Sequence, residues 1–243
     1  MDLKSILLLV FIIVLLYILI VYITRDNNTL SGMVDATTMQ TITGDTLDTS
    51  GTTASTSNFT YSIWFFIDDW NYKYGETKII FGRMTNDGQT LNPCPLVVLG
   101  AIENNLDISL QVYPGADTVD DATGSTNVHT CNVSNIPLQK WVNLLISAYG
   151  RSLDVYIDGK LVRTCVLPGV AKVDTSTNVY ITPKGGFSGW TALLQYWPNS
   201  TDPQTAWNIY KKGYGGSLFG NLGKYSIKVS LMEGDTEDAS FEI

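Results

Sequence analysis

A single histidine in 243 residues leaves little room for imidazole chemistry. A Ser-His-Asp or Cys-His site has to recruit that residue, His129. His129 follows Ser125-Thr126-Asn127-Val128, a polar stretch that reads as an exposed loop. A histidine-rich metal centre is excluded by count. Cysteine is scarce too: Cys94, Cys131 and Cys165 have no CxxC spacing, which argues against zinc and against a disulfide-dense scaffold. Fifteen Lys and Arg face 23 Asp and Glu, for a net charge of −8. Such a domain repels phosphate backbones, so nucleic acid is not an expected partner. The tail from Leu231 to Ile243 holds Glu233, Asp235, Glu237, Asp238 and Glu242 and no basic residue. It reads as a solvated, poorly ordered end.

What the chain does have is one long apolar run. Ile6 to Ile23 are all apolar or aromatic, without a charge. As a helix this run is about 27 Å long, close to the hydrocarbon thickness of a bilayer. A cleaved signal peptide has a shorter apolar core followed by a small-x-small site. Here Thr24-Arg25-Asp26-Asn27-Asn28 follows, which favours an uncleaved signal anchor over residues 1–25. Lys4 before the span and the cancelling pair Arg25 and Asp26 after it lean towards a cytoplasmic N-terminus. Residues 26–57 are rich in Thr, Ser, Asn and Gly and read as a spacer with room for one short strand.

Beyond the spacer the pattern is β. Phe59, Tyr61, Ile63, Phe65 and Ile67 alternate with Thr60, Ser62, Trp64 and Phe66, a period of two with aromatics on both faces, as in a central strand. Further strands are expected at Lys78–Arg83, Leu96–Gly100 and Leu106–Tyr113. Trp141–Tyr149, a turn at Gly150-Arg151, Leu153–Ile157, the type I′ signal Asp158-Gly159 and Lys160–Val166 form a three-stranded meander. Val179–Thr182, Thr191–Trp197 and Lys224–Leu231 add strands. One helix is legible: Asp202 as N-cap, Pro203 at its first position, Gln204 to Lys212, then Gly213. The fold class is all-β, an antiparallel two-sheet jelly-roll sandwich over residues 58–215. A C-terminal strand and acidic tail follow over 216–243. Cys131 and Cys165 flank neighbouring strands and form the credible disulfide pair; the alternative is three buried, reduced thiols. Asn-x-Ser/Thr sequons start at Asn27, Asn58, Asn132 and Asn199.

The stretch Pro137-Leu138-Gln139-Lys140-Trp141 leading to Leu153-Asp154-Val155-Tyr156-Ile157-Asp158-Gly159 resembles the hairpin of the concanavalin A-like lectin/glucanase superfamily in its laminin-G-like branch. Phe59–Phe66 resembles that family's early strand. Gly186-Phe187-Ser188-Gly189-Trp190 resembles its later F-x-G strand, and Thr201-Asp202-Pro203 to Tyr210 its C-terminal helix. One N-terminal span, a short spacer and one jelly roll also look like membrane-tethered minor capsid proteins of large icosahedral DNA viruses of algae and protists. The family resemblance implies the sandwich. The architectural one implies a structural protein between an internal virion membrane and its shell.

Chemistry discriminates among the family's roles. Its glucanases carry an E-x-D-x-x-E strand that sets two carboxylates at working distance. The nearest stretch here, Glu103-Asn104-Asn105-Leu106-Asp107, has the wrong spacing, so no catalytic residues are assigned and no enzyme is expected. For binding, Asp69, Trp70, Asn71, Tyr72 and Tyr74 form an aromatic and polar loop suited to a sugar or a protein partner. The simpler reading packs its aromatics over one end of the sandwich. Asp117, Asp120 and Asp121 could attract calcium, without EF-hand spacing. No other cofactor or metal is expected. Trp64, Trp141, Phe187 and Trp190 read as core. The expected protein is thus a non-enzymatic, single-pass membrane protein of the virion's membrane–capsid interface. Its partners are lipid and neighbouring capsid or membrane proteins. A carbohydrate-binding module is the alternative, and a glycosidase a distant third.

Overall fold

The computed structural model describes residues 11–12, 14–19, 28–47, 57–85, 93–113, 127–174, 176–214, 228–233 and 236–242. In chain order the strands are β1 (Val34–Asp35), β2 (Gln40–Ile42), β3 (Phe59–Asp69), β4 (Lys78–Met84), β5 (Leu96–Leu99), β6 (Asn105–Gln111) and β7 (Val128–Ser134). They continue with β8 (Trp141–Tyr149), β9 (Ser152–Ile157), β10 (Lys160–Val166), β11 (Asn178–Ile181), β12 (Ser188–Trp197), β13 (Lys228–Glu233) and β14 (Thr236–Glu242). Near the C-terminal end of the sandwich an α-helix, α1, covers Pro203–Lys212. Residues 28–214 form one compact unit; residues 1–27 and 215–243 are assigned to another.

Two six-stranded sheets make the sandwich. The first runs β1-β12-β3-β8-β9-β10 and the second β2-β11-β4-β5-β6-β7. Alternation does the sorting. Phe59, Tyr61, Ile63, Phe65 and Ile67 of β3 point inward, joined by Val142, Leu144, Ile146 and Ala148 of β8 and by Leu106, Ile108 and Leu110 of β6. A one-residue slip would turn this entire set to solvent, so the register is firmly specified. The aromatic pattern on both faces of β3 fits its place between β12 and β8. The turn after β9 is of the expected kind: Asp158 and Gly159 both have positive φ, 50° and 72°, as a type I′ hairpin requires.

Both open sides of the sandwich are closed covalently. On one side Cys131 of β7 and Cys165 of β10, edge strands of opposite sheets, form a disulfide with a Cα–Cα distance of 6.0 Å. On the other, the chain passes from β1 in the first sheet to β2 in the second through residues 36–39. Ala36, fully buried, donates its N–H to the Gly189 carbonyl and accepts from the Phe187 N–H. The Thr182 hydroxyl donates to the Thr38 carbonyl at 2.9 Å.

Three expectations need correction. Part of the segment read as a spacer, residues 28–47, is built into the sandwich: its polar Thr and Gln residues disguise two short edge strands. His129 lies in β7 and not in a loop: it pairs with Leu110 of β6, on the same face as Cys131 and Val133, and a polar residue at the start of that face hid the alternation. The acidic tail, read as poorly ordered, forms β14 antiparallel to β13. The expected 6–23 span is described only at residues 11–12 and 14–19, all helical, with their large apolar side chains 48–64% exposed. The rest of it lies outside the described residues, among which no helix is long and apolar enough to cross a membrane.

Two measurements check this frame. The disulfide closes a loop of 34 residues, worth about 3–4 kcal/mol in the chain-entropy account. Replacing Cys131 and Cys165 by alanine is expected to lower urea-unfolding stability by that amount. Cys94 is buried, and burial pushes its thiol up to about 12. A thiol reagent should find nothing to label in the unreduced, folded chain and one thiol after denaturation.

Candidate functional site

The loop expected to bind is mostly occupied with holding the sandwich end. Trp70 donates its indole N–H to the Ile102 carbonyl at 3.2 Å and packs against the core. Its ring covers the Lys78 ammonium, 4.6 Å from the ring centre. The Tyr72 hydroxyl donates to the Gly185 carbonyl at 3.1 Å, and Lys73 Nζ donates to the Lys184 carbonyl. Asp69 accepts from the Asn71 N–H at 2.9 Å, a tight Asx turn. Of the five residues Asp69, Trp70, Asn71, Tyr72 and Tyr74, only Asp69, Asn71 and Tyr74 are exposed. No stacking platform results. The acidic residues Asp117, Asp120 and Asp121 lie outside the described residues. Among those described, no cluster of three His, Cys, Asp or Glu could hold a metal.

Lys78 beneath Trp70 is only 1% exposed, and its ammonium has no hydrogen-bond partner among the described residues. Burial pushes its pKa down, with Glu76 opposing the shift.

A different surface gathers the aromatics. On the outer face of the first sheet, Trp190 of β12 lies opposite Phe66 of β3, and Phe66 lies opposite Trp141 of β8. Asp35 of β1 lies opposite Trp190, completing one row across four strands. Phe66 and Trp141 are 5.8 Å apart, and Tyr214 stacks on Trp141 at 4.5 Å with its ring plane tilted by 13°. Trp190 is 45% exposed, and Phe66, Trp141 and Tyr214 are half-buried. Asp68, two residues beyond Phe66, is exposed. Asp35 is held ionised by the Thr37 hydroxyl and N–H, which both donate to it and lower its pKa.

Helix α1 explains why the row stays accessible. Asp202 caps it, accepting from the N–H groups of Gln204 and Thr205 at 2.9 and 3.0 Å. Its Ala206 and Ile209 pack on Leu145 and Tyr156, and Tyr210 stacks on Trp64 at 5.6 Å. This close approach needs Gly159, where a Cβ would sit 2.9 Å from both Trp207 and Tyr210. The helix thus covers the middle of the sheet and ends at Lys212, short of the row. At the row itself Gly189 does similar work: with φ 148° it lets β12 approach β3 where any Cβ would strike the Phe66 carbonyl.

Phe187 and Trp64 are buried, as expected for core residues, whereas Trp141 and Trp190 are not. They sit on the outer face, and only Trp64's neighbourhood is roofed by α1. The outward alternation of Trp64 and Phe66 was the signal for this surface. The irregularity of β12 at Leu193 (φ 48°) hid its facing, because Leu194 and Tyr196, of the same parity as Trp190, turn to the core.

A family model described as the concanavalin A-like lectin/glucanases superfamily matches residues 40–197. No curated protein matches the chain. Among solved structures, the receptor binding domain of botulinum neurotoxin D is similar with a TM-score of 0.53 and 11% identity, covering 76% of this chain and 53% of that one. The botulinum neurotoxin serotype D binding domain gives 0.52 and 11%, covering 76% and 51%. The chain therefore spans about half the length of these structures, and at this identity the likeness concerns the fold alone.

The Lys78 environment yields a test. A buried ammonium without a hydrogen bond is costly, so Lys78→Met is expected to be at least as stable as the native chain at pH 7. Because the folded pKa lies below the free value of 10.5, the unfolded chain binds more protons in between, and native stability rises with pH through that window. Urea unfolding at stepwise higher pH should show the native chain gaining on Lys78→Met.

Proposed function

The chain belongs to the concanavalin A-like lectin/glucanases superfamily, and we propose that within it the protein is a non-enzymatic, membrane-tethered binding module. The observation that carries this reading is the outward-facing row Trp190–Phe66–Trp141, exposed at Trp190 and ending in Asp35, with exposed Asp68 two residues beyond Phe66. Aromatics on a flat, preorganised face provide large contact area at little entropy cost. The N-terminal run supplies the tether: where it is described it is helical, with its apolar side chains turned out. The polypeptide enters the sandwich at Asn28, whose carbonyl accepts from the Tyr196 N–H. Tyr196 pairs with Tyr61, and Phe66 lies five residues further along β3. The row is therefore about 17 Å from the attachment point. The disulfide supports a domain on the oxidising side of the membrane.

In its most specific form the module is a minor capsid component between the internal membrane of a large DNA virus and its shell, with capsid proteins as partners. The architecture of anchor plus sandwich supports that form. Mass spectrometry of purified particles is expected to find the chain in the membrane fraction; its absence from particles contradicts this form and leaves the binding module standing.

One observation favours carbohydrate as a second reading. Trp190 and Trp141 are two strands apart, about 10 Å, a span that suits a disaccharide lying across the row. Sugar C–H groups carry partial positive charge towards the negative aromatic face, and Asp35 and Asp68 would accept from hydroxyls. For either partner Trp190→Ala is expected to weaken binding at least tenfold while shifting stability by no more than about 0.5 kcal/mol, as for other exposed sites. The full chain in lipid discs, titrated on a glycan array and on candidate shell proteins, checks this. Unchanged affinity in Trp190→Ala would sink the row as the binding surface.

A further inference from the structure

We infer that Asn199 is an N-glycosylation site, carrying its glycan at the end of the sandwich remote from the aromatic row. Four sequons are present, at Asn27, Asn58, Asn132 and Asn199, and the fold separates the three that it describes. Asn58 is half-buried, and its side-chain oxygen accepts from the Gly150 N–H at 2.9 Å. Asn132 is half-buried within β7, and its side-chain nitrogen, the atom a sugar would join, is donated to Asp107 at 2.6 Å. Asn199 is exposed in the irregular connection between β12 and α1, outside either ladder.

The fold holds that connection by backbone atoms and by the sequon's own threonine. The Thr60 hydroxyl donates to the Asn199 carbonyl at 2.7 Å. The Thr201 N–H donates to Ser147 Oγ at 2.8 Å, and Thr201 Oγ1 donates to Thr60 Oγ1 at 2.9 Å. The Asn199 backbone is thereby fixed while its side chain faces solvent. Modification replaces one Nδ2–H by a bond to C1 of a sugar. The donor is a lipid-linked oligosaccharide diphosphate: its C1–O bond to phosphate breaks, the lipid diphosphate leaves, and Nδ2 loses one proton. Thr60 pairs with Trp197 at this end, and Phe66 with Trp190 at the other. Six residues of β3 separate them, about 20 Å. A glycan here leaves the row open and covers the exposed turn beside the attachment point of the N-terminal segment.

The inference rests on the reading of that segment as an anchor that delivers the domain to the oxidising side of the membrane. The test therefore measures both. The full chain, with its own N-terminus as the sole targeting signal, is expressed in a eukaryotic secretory system. Membranes are extracted with alkaline carbonate, and peptides are mapped after enzymatic deglycosylation in heavy-oxygen water. Expected is a carbonate-resistant chain with the label at Asn199 and not at Asn58 or Asn132, and loss of that glycan's mass in Asn199→Gln. Thr201→Ser, which keeps the sequon, should retain the label. A carbonate-resistant chain unlabelled at Asn199 overturns the inference and leaves the anchor reading intact. A carbonate-soluble, unlabelled chain overturns both.

Discussion

Two sheets packed face to face have two open sides, and in this protein each is closed by a covalent path. The Cys131–Cys165 bond joins the edge strands β7 and β10, and the chain itself crosses from β1 to β2 on the opposite side. The edges that would otherwise part first are fixed, so the face of the first sheet becomes a stiff platform. The rest of the account depends on that stiffness. A row of aromatics presented by three strands keeps its spacing only if the strands cannot slide. A helix that ends short of the row leaves it open only if the helix is itself pinned, by Asp202 at its start and the Trp64–Tyr210 stack along its length.

Much of this was legible in the sequence, for physical reasons that differ from element to element. The period-two pattern of β3, the Asp158-Gly159 turn and the cap-and-proline start of α1 are local signals, and each appears where expected. The early edge strands were not legible. Val34–Asp35 and Gln40–Ile42 carry too few apolar residues to show a period, and they exist because the larger sheets offer them open edges. β7 was obscured in the same way. The fate of Trp190 was a matter of facing, which periodicity gives only modulo the bulge in β12 between Ala192 and Gln195.

The loop at 68–74 shows one set of groups serving two readings. Aromatics beside carboxylates and amides suit recognition, yet the same groups are what a sandwich needs to seal an end. Trp70 spends its N–H on Ile102 and its face on Lys78, and Tyr72 spends its hydroxyl on Gly185. What distinguishes the row on the first sheet is that Trp190, beside half-buried Phe66 and Trp141, faces outward from a paired ladder and leaves contact area unused.

The central claim is that partners meet this face and not the loop. Site-specific photo-crosslinking tests it directly: a photoreactive residue is placed at Trp190 in one chain and at Tyr74, 59% exposed in the loop, in another, each expressed as the full chain. The account predicts discrete adducts from position 190 and none from 74. Adducts from 74 with silence at 190 would contradict it.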